Sequence, residues 1–190
     1  MLRLLTNTAV GVGLLVASTS FAQTSHPNLA AGPAATTLPR NTLDQQDTSF
    51  ITEAAAGGMA EVALSKMAEK SENPEVKRFA EKMVRDHTTA NTELAAIAAE
   101  AGAELPKTLD TDHQKIHEQL QSMHGKAFDQ QYMRGMVEDH DQAVKLFRQE
   151  DSSGHDPQLK QFAHKILPTI EEHQKMALDL SRRLSETAAR

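Results

Sequence analysis

Two stretches of this chain open in the same way. NPEVKRFAEKMV begins at Asn73 and DPQLKQFAHKIL begins at Asp156. Each places a capping side chain before a proline and then repeats apolar residues three and four apart, the start signal of an amphipathic helix. Each also follows a long helical stretch and a short connector. A chain written this way is constrained to two related helical hairpins. Aromatics make up only 4% of its 190 residues and Trp is absent, so the core must rest on Leu, Ile, Val, Met and Ala. That composition favours packed helices over a sheet.

The 3.6-residue period predicts four long helices and one short one. The first runs over 47–71, with Asp47 as its cap. The second opens at Asn73-Pro74 and stops at Gly102. A short helix over 110–124 follows in a long connection; Gly125 ends it, the alternative being a helix continuous through that point. The third long helix covers 126–151, and the fourth opens at Asp156-Pro157 and reaches about residue 186, with Pro168 inside it as a source of kinking. No segment reads as a strand. The fold expected is all-α, a four-helix bundle with a short extra helix in the connection between the second and third long helices.

Ahead of the bundle, residues 1–22 read as a secretory signal peptide. Arg3 is followed by a short apolar stretch and by Ser20-Phe21-Ala22, a small-x-Ala cleavage pattern. Cleavage after Ala22 leaves no transmembrane span and sends the chain to the periplasm or outside the cell; the alternative is an uncleaved membrane anchor. Residues 23–46, rich in Ala, Thr, Pro and Gly, read as a disordered linker, and the bundle domain as 47–187. The net charge of −6 is spread along the chain, which argues against binding nucleic acid.

Met-Val-x-Asp-His occurs twice, ending at His87 and at His140. Helical spacing puts His87 on the stripe with Ala80, Met83, Ala90 and Leu94. His140 shares its stripe with Met133, Met136, Val144 and Phe147, and His173 lies among Ile166, Ile170, Ala177 and Leu180. On the first helix Glu61 falls between Ala54, Gly57, Leu64 and Ala68. Each long helix thus places one metal-capable group in its apolar seam. Such groups are costly to bury unless they satisfy one another or bind something.

Three imidazoles and a carboxylate suit a single divalent transition metal, with Fe, Zn, Mn and Cu all open. Asp86, Asp139 and Glu172 each precede one of these histidines. They can either orient a neighbouring ring or face solvent. Counting from the hairpin connectors leaves the seam groups about four to six residues apart in height, on the order of 6–9 Å at 1.5 Å per residue. His113, His117 and His124, on or beside the short helix, are expected to face solvent. Met83, Met136 and Met176, close to the seam histidines in each helix, read as core filler rather than copper ligands.

Phe79-Ala-x-x-Met-Val-x-Asp-His87, Phe128-Asp129-x-x-Tyr132, Met136-Val-x-Asp-His140 and Leu167-Pro168 before His173 together resemble a bacterial exported family. It is known as domain of unknown function 4142 and is placed with the ferritin-like bundles. The resemblance covers about residues 48–180 and implies a ferritin-like four-helix bundle and an envelope location, but no established activity. Ferritin-like di-iron enzymes carry Glu-x-x-His on two helices. Here Val84 stands three positions before His87 and Ile170 three before His173. That incomplete carboxylate set speaks against oxygen activation and leans away from an enzyme. The function expected is binding of a single core metal in metal handling or envelope stress. The alternative is a structural or partner-binding bundle whose His/Glu layer is only a hydrogen-bonded core. Protein partners and homo-oligomer formation stay open.

Overall fold

The computed structural model describes residues 43–188. The expected signal peptide, and the linker up to residue 42, lie outside the described residues. Five α-helices follow in order: α1 (Gln45–Ala68), α2 (Pro74–Ala101), α3 (Thr111–Gln121), α4 (Gly125–Ser153) and α5 (Pro157–Ala188). No strand occurs among the described residues.

The helix ends show why the two similar stretches open alike. Asn73 Oδ1 accepts the backbone N–H groups of Glu75 and Val76, and Asp156 Oδ1 accepts those of Gln158 and Leu159. Val76, Phe79 and Ala80 on α2 are buried, and so are their counterparts Leu159, Phe162 and Ala163 on α5. Gly102 closes α2 in the left-handed conformation, φ +72°, where a Cβ is disfavoured.

Two ends differ from expectation. Asp44, not Asp47, caps α1 through the Asp47 N–H. Asp47 is buried in the first turn, and its carboxylate accepts the N–H groups of His155 and Asp156 just ahead of α5. Gly125 begins α4 rather than ending α3, and adopts φ +56° there. Pro168 sits within an unbroken α5.

The start of α1 meets the end of α4 through Gln46 and Ser153, and the end of α1 meets the start of α4 through Ser65 and Tyr132. Glu75 at the start of α2 pairs with Arg183 near the end of α5. So α1 runs antiparallel to both α2 and α4, and α5 runs antiparallel to both α2 and α4. The parallel pair α2 and α4 is joined by the single long crossover that contains α3, the connectivity of ferritin-like bundles.

The core is not continuous. One cluster gathers Leu64, Val76, Phe79, Met83, Tyr132 and Met136. A second gathers Phe50, Ile51, Leu94, Phe147, Leu159 and Phe162 toward the other end. Along every long helix the residue between the two clusters is polar: Glu61, His87, His140 and His173. Met83 and Met136 pack in the first cluster, fully buried, as filler would.

Candidate metal centre

Glu61 comes from α1, His87 from α2, His140 from α4 and His173 from α5, and none is more than 7% exposed. The ring centroids lie 5.5 Å apart for His87 and His140, 5.3 Å for His87 and His173, and 5.6 Å for His140 and His173. The height offset obtained by counting residues is closed by side-chain reach, for Glu61 touches His87 directly.

Each ring has one nitrogen engaged. His140 Nδ1 lies 2.8 Å from the Met136 carbonyl oxygen. A carbonyl only accepts, so Nδ1 carries the proton. His87 Nδ1 lies 2.9 Å from Glu61 Oε2, and His173 Nε2 lies 2.9 Å from Asp86 Oδ2. Glu61 Oε1 sits 3.2 Å from His140 Nδ1, whose proton the Met136 carbonyl takes.

Burial alone would push the Glu61 carboxyl up. The charges of His87 and His140 and the His87 hydrogen bond outweigh it and hold the group at about 2. Burial likewise pulls His87 down, but Glu61 raises it above its ordinary value. Burial, reinforced by the charge of His87, lowers His173 to about 3 despite Asp86. Asp86 is held below its usual range, where Lys82 and His173 outweigh the effect of burial. Both partners are therefore anionic at neutral pH, and each accepts from the histidine it faces.

The remaining nitrogens are His87 Nε2, His140 Nε2 and His173 Nδ1. All three are buried and have no hydrogen-bond partner. One nitrogen from each of these histidines lies within 4.8 Å of the other two. An unpartnered buried polar atom costs about 1–3 kcal/mol, so three in one layer are costly to leave without a ligand. A metal with bonds of about 2.0–2.1 Å spaces its nitrogens roughly 3.3 Å apart. The ring nitrogens that lie within 4.8 Å of one another would draw in by about 1.5 Å to hold one.

The three acids that precede these histidines part company. Asp86 reaches across from α2 to His173 on α5. Glu172 is exposed and lies 3.7 Å from Lys82. Asp139 Oδ1 lies 3.7 Å from His113 Nε2, while its Oδ2 is buried without a partner. His113, expected in solvent, is partly buried and hydrogen-bonds through Nδ1 to Asp110. Asp139, opposed by burial and aided by Asp110, raises it to about 9. Its only sequence signal was the Asp110-x-x-His113 helix start, and the approach to Asp139 is purely tertiary.

A cavity of about 600 Å³ reaches this layer and is lined at its inner end by Glu61, His87 and His173. Its walls include Leu94, Phe147, Phe162 and Ile170, with exposed Glu53, Thr89 and Lys165 at its rim. Solvent and small solutes thus have a route to two of the three histidines. A second group, Asp44, Asp47 and His155, also brings ligand atoms together. There both Asp47 oxygens already accept backbone N–H groups and Asp44 caps α1, so that group is a joint between helix ends.

A family model described as "Domain of unknown function (DUF4142)" matches residues 32–180. The chain belongs to that family. No curated protein matches it. Among solved structures, a DUF305 fragment from Deinococcus radiodurans is similar with a TM-score of 0.64 and 16% identity, covering 74% of this chain and 98% of that one. CopM in the Cu(II)-bound form is similar with a TM-score of 0.57 and 19% identity, covering 72% of this chain and 96% of that one. At such identities the likeness is one of fold.

Proposed function

We propose that this member of the family binds one divalent transition metal through His87 Nε2, His140 Nε2 and His173 Nδ1, as an exported metal-handling protein. One observation carries the reading: each of three buried histidines has one ring nitrogen engaged and one without a partner, and the three rings bring a nitrogen apiece within 4.8 Å of one another. A purely hydrogen-bonded histidine layer would satisfy both nitrogens of each ring. In this arrangement Glu61 and Asp86 orient rings rather than bind the ion, and their two negative charges balance a divalent cation. Three imidazoles suit Cu(II) and Zn(II) better than Mg or Mn. The fold shared with CopM, described in a Cu(II)-bound form, is compatible with that choice.

The test is metal content of the untagged chain from residue 23, purified from its native envelope. One equivalent of metal, lost in His140→Ala and His173→Ala, supports the reading. Absence of metal, with no thermal shift on adding Cu or Zn, rejects it.

A further inference from the structure

The cavity is larger than access for a metal ion requires. At about 600 Å³ it falls in the range of sites that enclose small organic molecules, roughly 300–1,000 Å³. His87 and His173, each with a buried ring nitrogen that has no partner, are among the residues that line it. Its walls include four buried apolar side chains, Leu94, Phe147, Phe162 and Ile170.

Charge narrows the choice of occupant. Six carboxylates line the cavity against two lysines and His113, and both lysines are already paired, Lys82 with Asp86 and Lys165 with Glu93. An anionic ligand would therefore enter against a net negative field. A neutral nitrogen donor would not.

We infer that the cavity binds a neutral nitrogen heterocycle of the azole class, its ring nitrogen directed at the histidine-bound metal and its apolar body lying along Leu94, Phe147, Phe162 and Ile170. The inference rests on the metal reading above. Gly57 provides a way to separate the two. It lines the cavity on α1, and a Cβ added there meets nothing within 4 Å. Leucine at this helical position has room to extend into the cavity, and the change favours helix.

The experiment is calorimetric titration of the Zn(II)-loaded full chain with imidazole, 4-phenylimidazole and phenylacetate at pH 8, with zinc content measured before and after. The expected result is tenfold or tighter binding of 4-phenylimidazole than of imidazole, with phenylacetate weaker than both. Gly57→Leu should keep its zinc and lose the phenyl preference, and Ala143→Leu on α4 serves if Gly57→Leu fails to fold. Equal affinity for the two azoles, or a preference for phenylacetate, overturns the inference and leaves the metal reading standing. A chain that takes up no zinc overturns both.

Discussion

Asp86 on α2 accepts a hydrogen bond from His173 Nε2 on α5 at 2.9 Å, and this contact decides which nitrogen of His173 faces the other histidines. The carboxylate fixes the tautomer and raises the basicity of Nδ1, the usual service of an acid behind a metal-binding imidazole. Asp86→Asn keeps an acceptor but removes the charge, and is expected to weaken metal binding about tenfold, with Asp86→Ala weaker still, up to about 100-fold. Competition against a chromophoric chelator measures both. Unchanged affinity in the alanine variant would remove Asp86 from the site.

Metal binding should also appear as stability. A ligand at 100 times its dissociation constant adds about 2.7 kcal/mol, or roughly 5–10 °C in melting temperature for a domain of this size. Adding a chelator should lower the melting temperature of the loaded wild-type chain by that amount and leave His140→Ala unmoved. A chelator effect of equal size in both would place the metal elsewhere.

Glu150 gives the fold a pH dependence remote from the histidines. It is buried where the ends of α1 and α4 meet, with Oε1 unpartnered. Burial, reinforced by the charge of Asp47, pushes its carboxyl up from 4.5 to about 7. The folded value lies above the unfolded one, so the associated stability is fully present below about pH 4.5 and is lost as pH rises through 7. Glu150→Gln should flatten the decline in unfolding free energy between pH 5 and 8 by about 1–2 kcal/mol. An identical slope in variant and wild type would show that Glu150 is not its source.

Two glycines should respond oppositely to alanine. At Gly154 an added Cβ would run into Glu150 Oε1 and lie 2.7 Å from the Glu150 carbonyl oxygen, and the backbone cannot yield cheaply. Gly154→Ala should cost about 1–3 kcal/mol. Gly57→Ala meets open space in the middle of α1 and should be neutral or stabilising by up to about 1 kcal/mol. Urea unfolding of the two variants checks both signs.

The helices and their faces were legible in the residues alone. Capping chemistry at Asn73-Pro74 and Asp156-Pro157 is local, and α2 and α5 begin there. Apolar period is equally local, and it assigned Glu61, His87, His140 and His173 to the seams that the structure buries. What those groups do to one another came from the packing of the helices. Period fixes the side of a helix on which a residue lies, but not its χ angles or its partner on the next helix. So the turn of Glu61 toward the outer nitrogen of His87, the choice of Asp86 over Glu172, the arrival of His113 beside Asp139, and the use of Asp47 to hold the start of α5 were not legible in advance. Each depends on a contact between residues far apart in the chain, and the packing of whole helices sets such contacts.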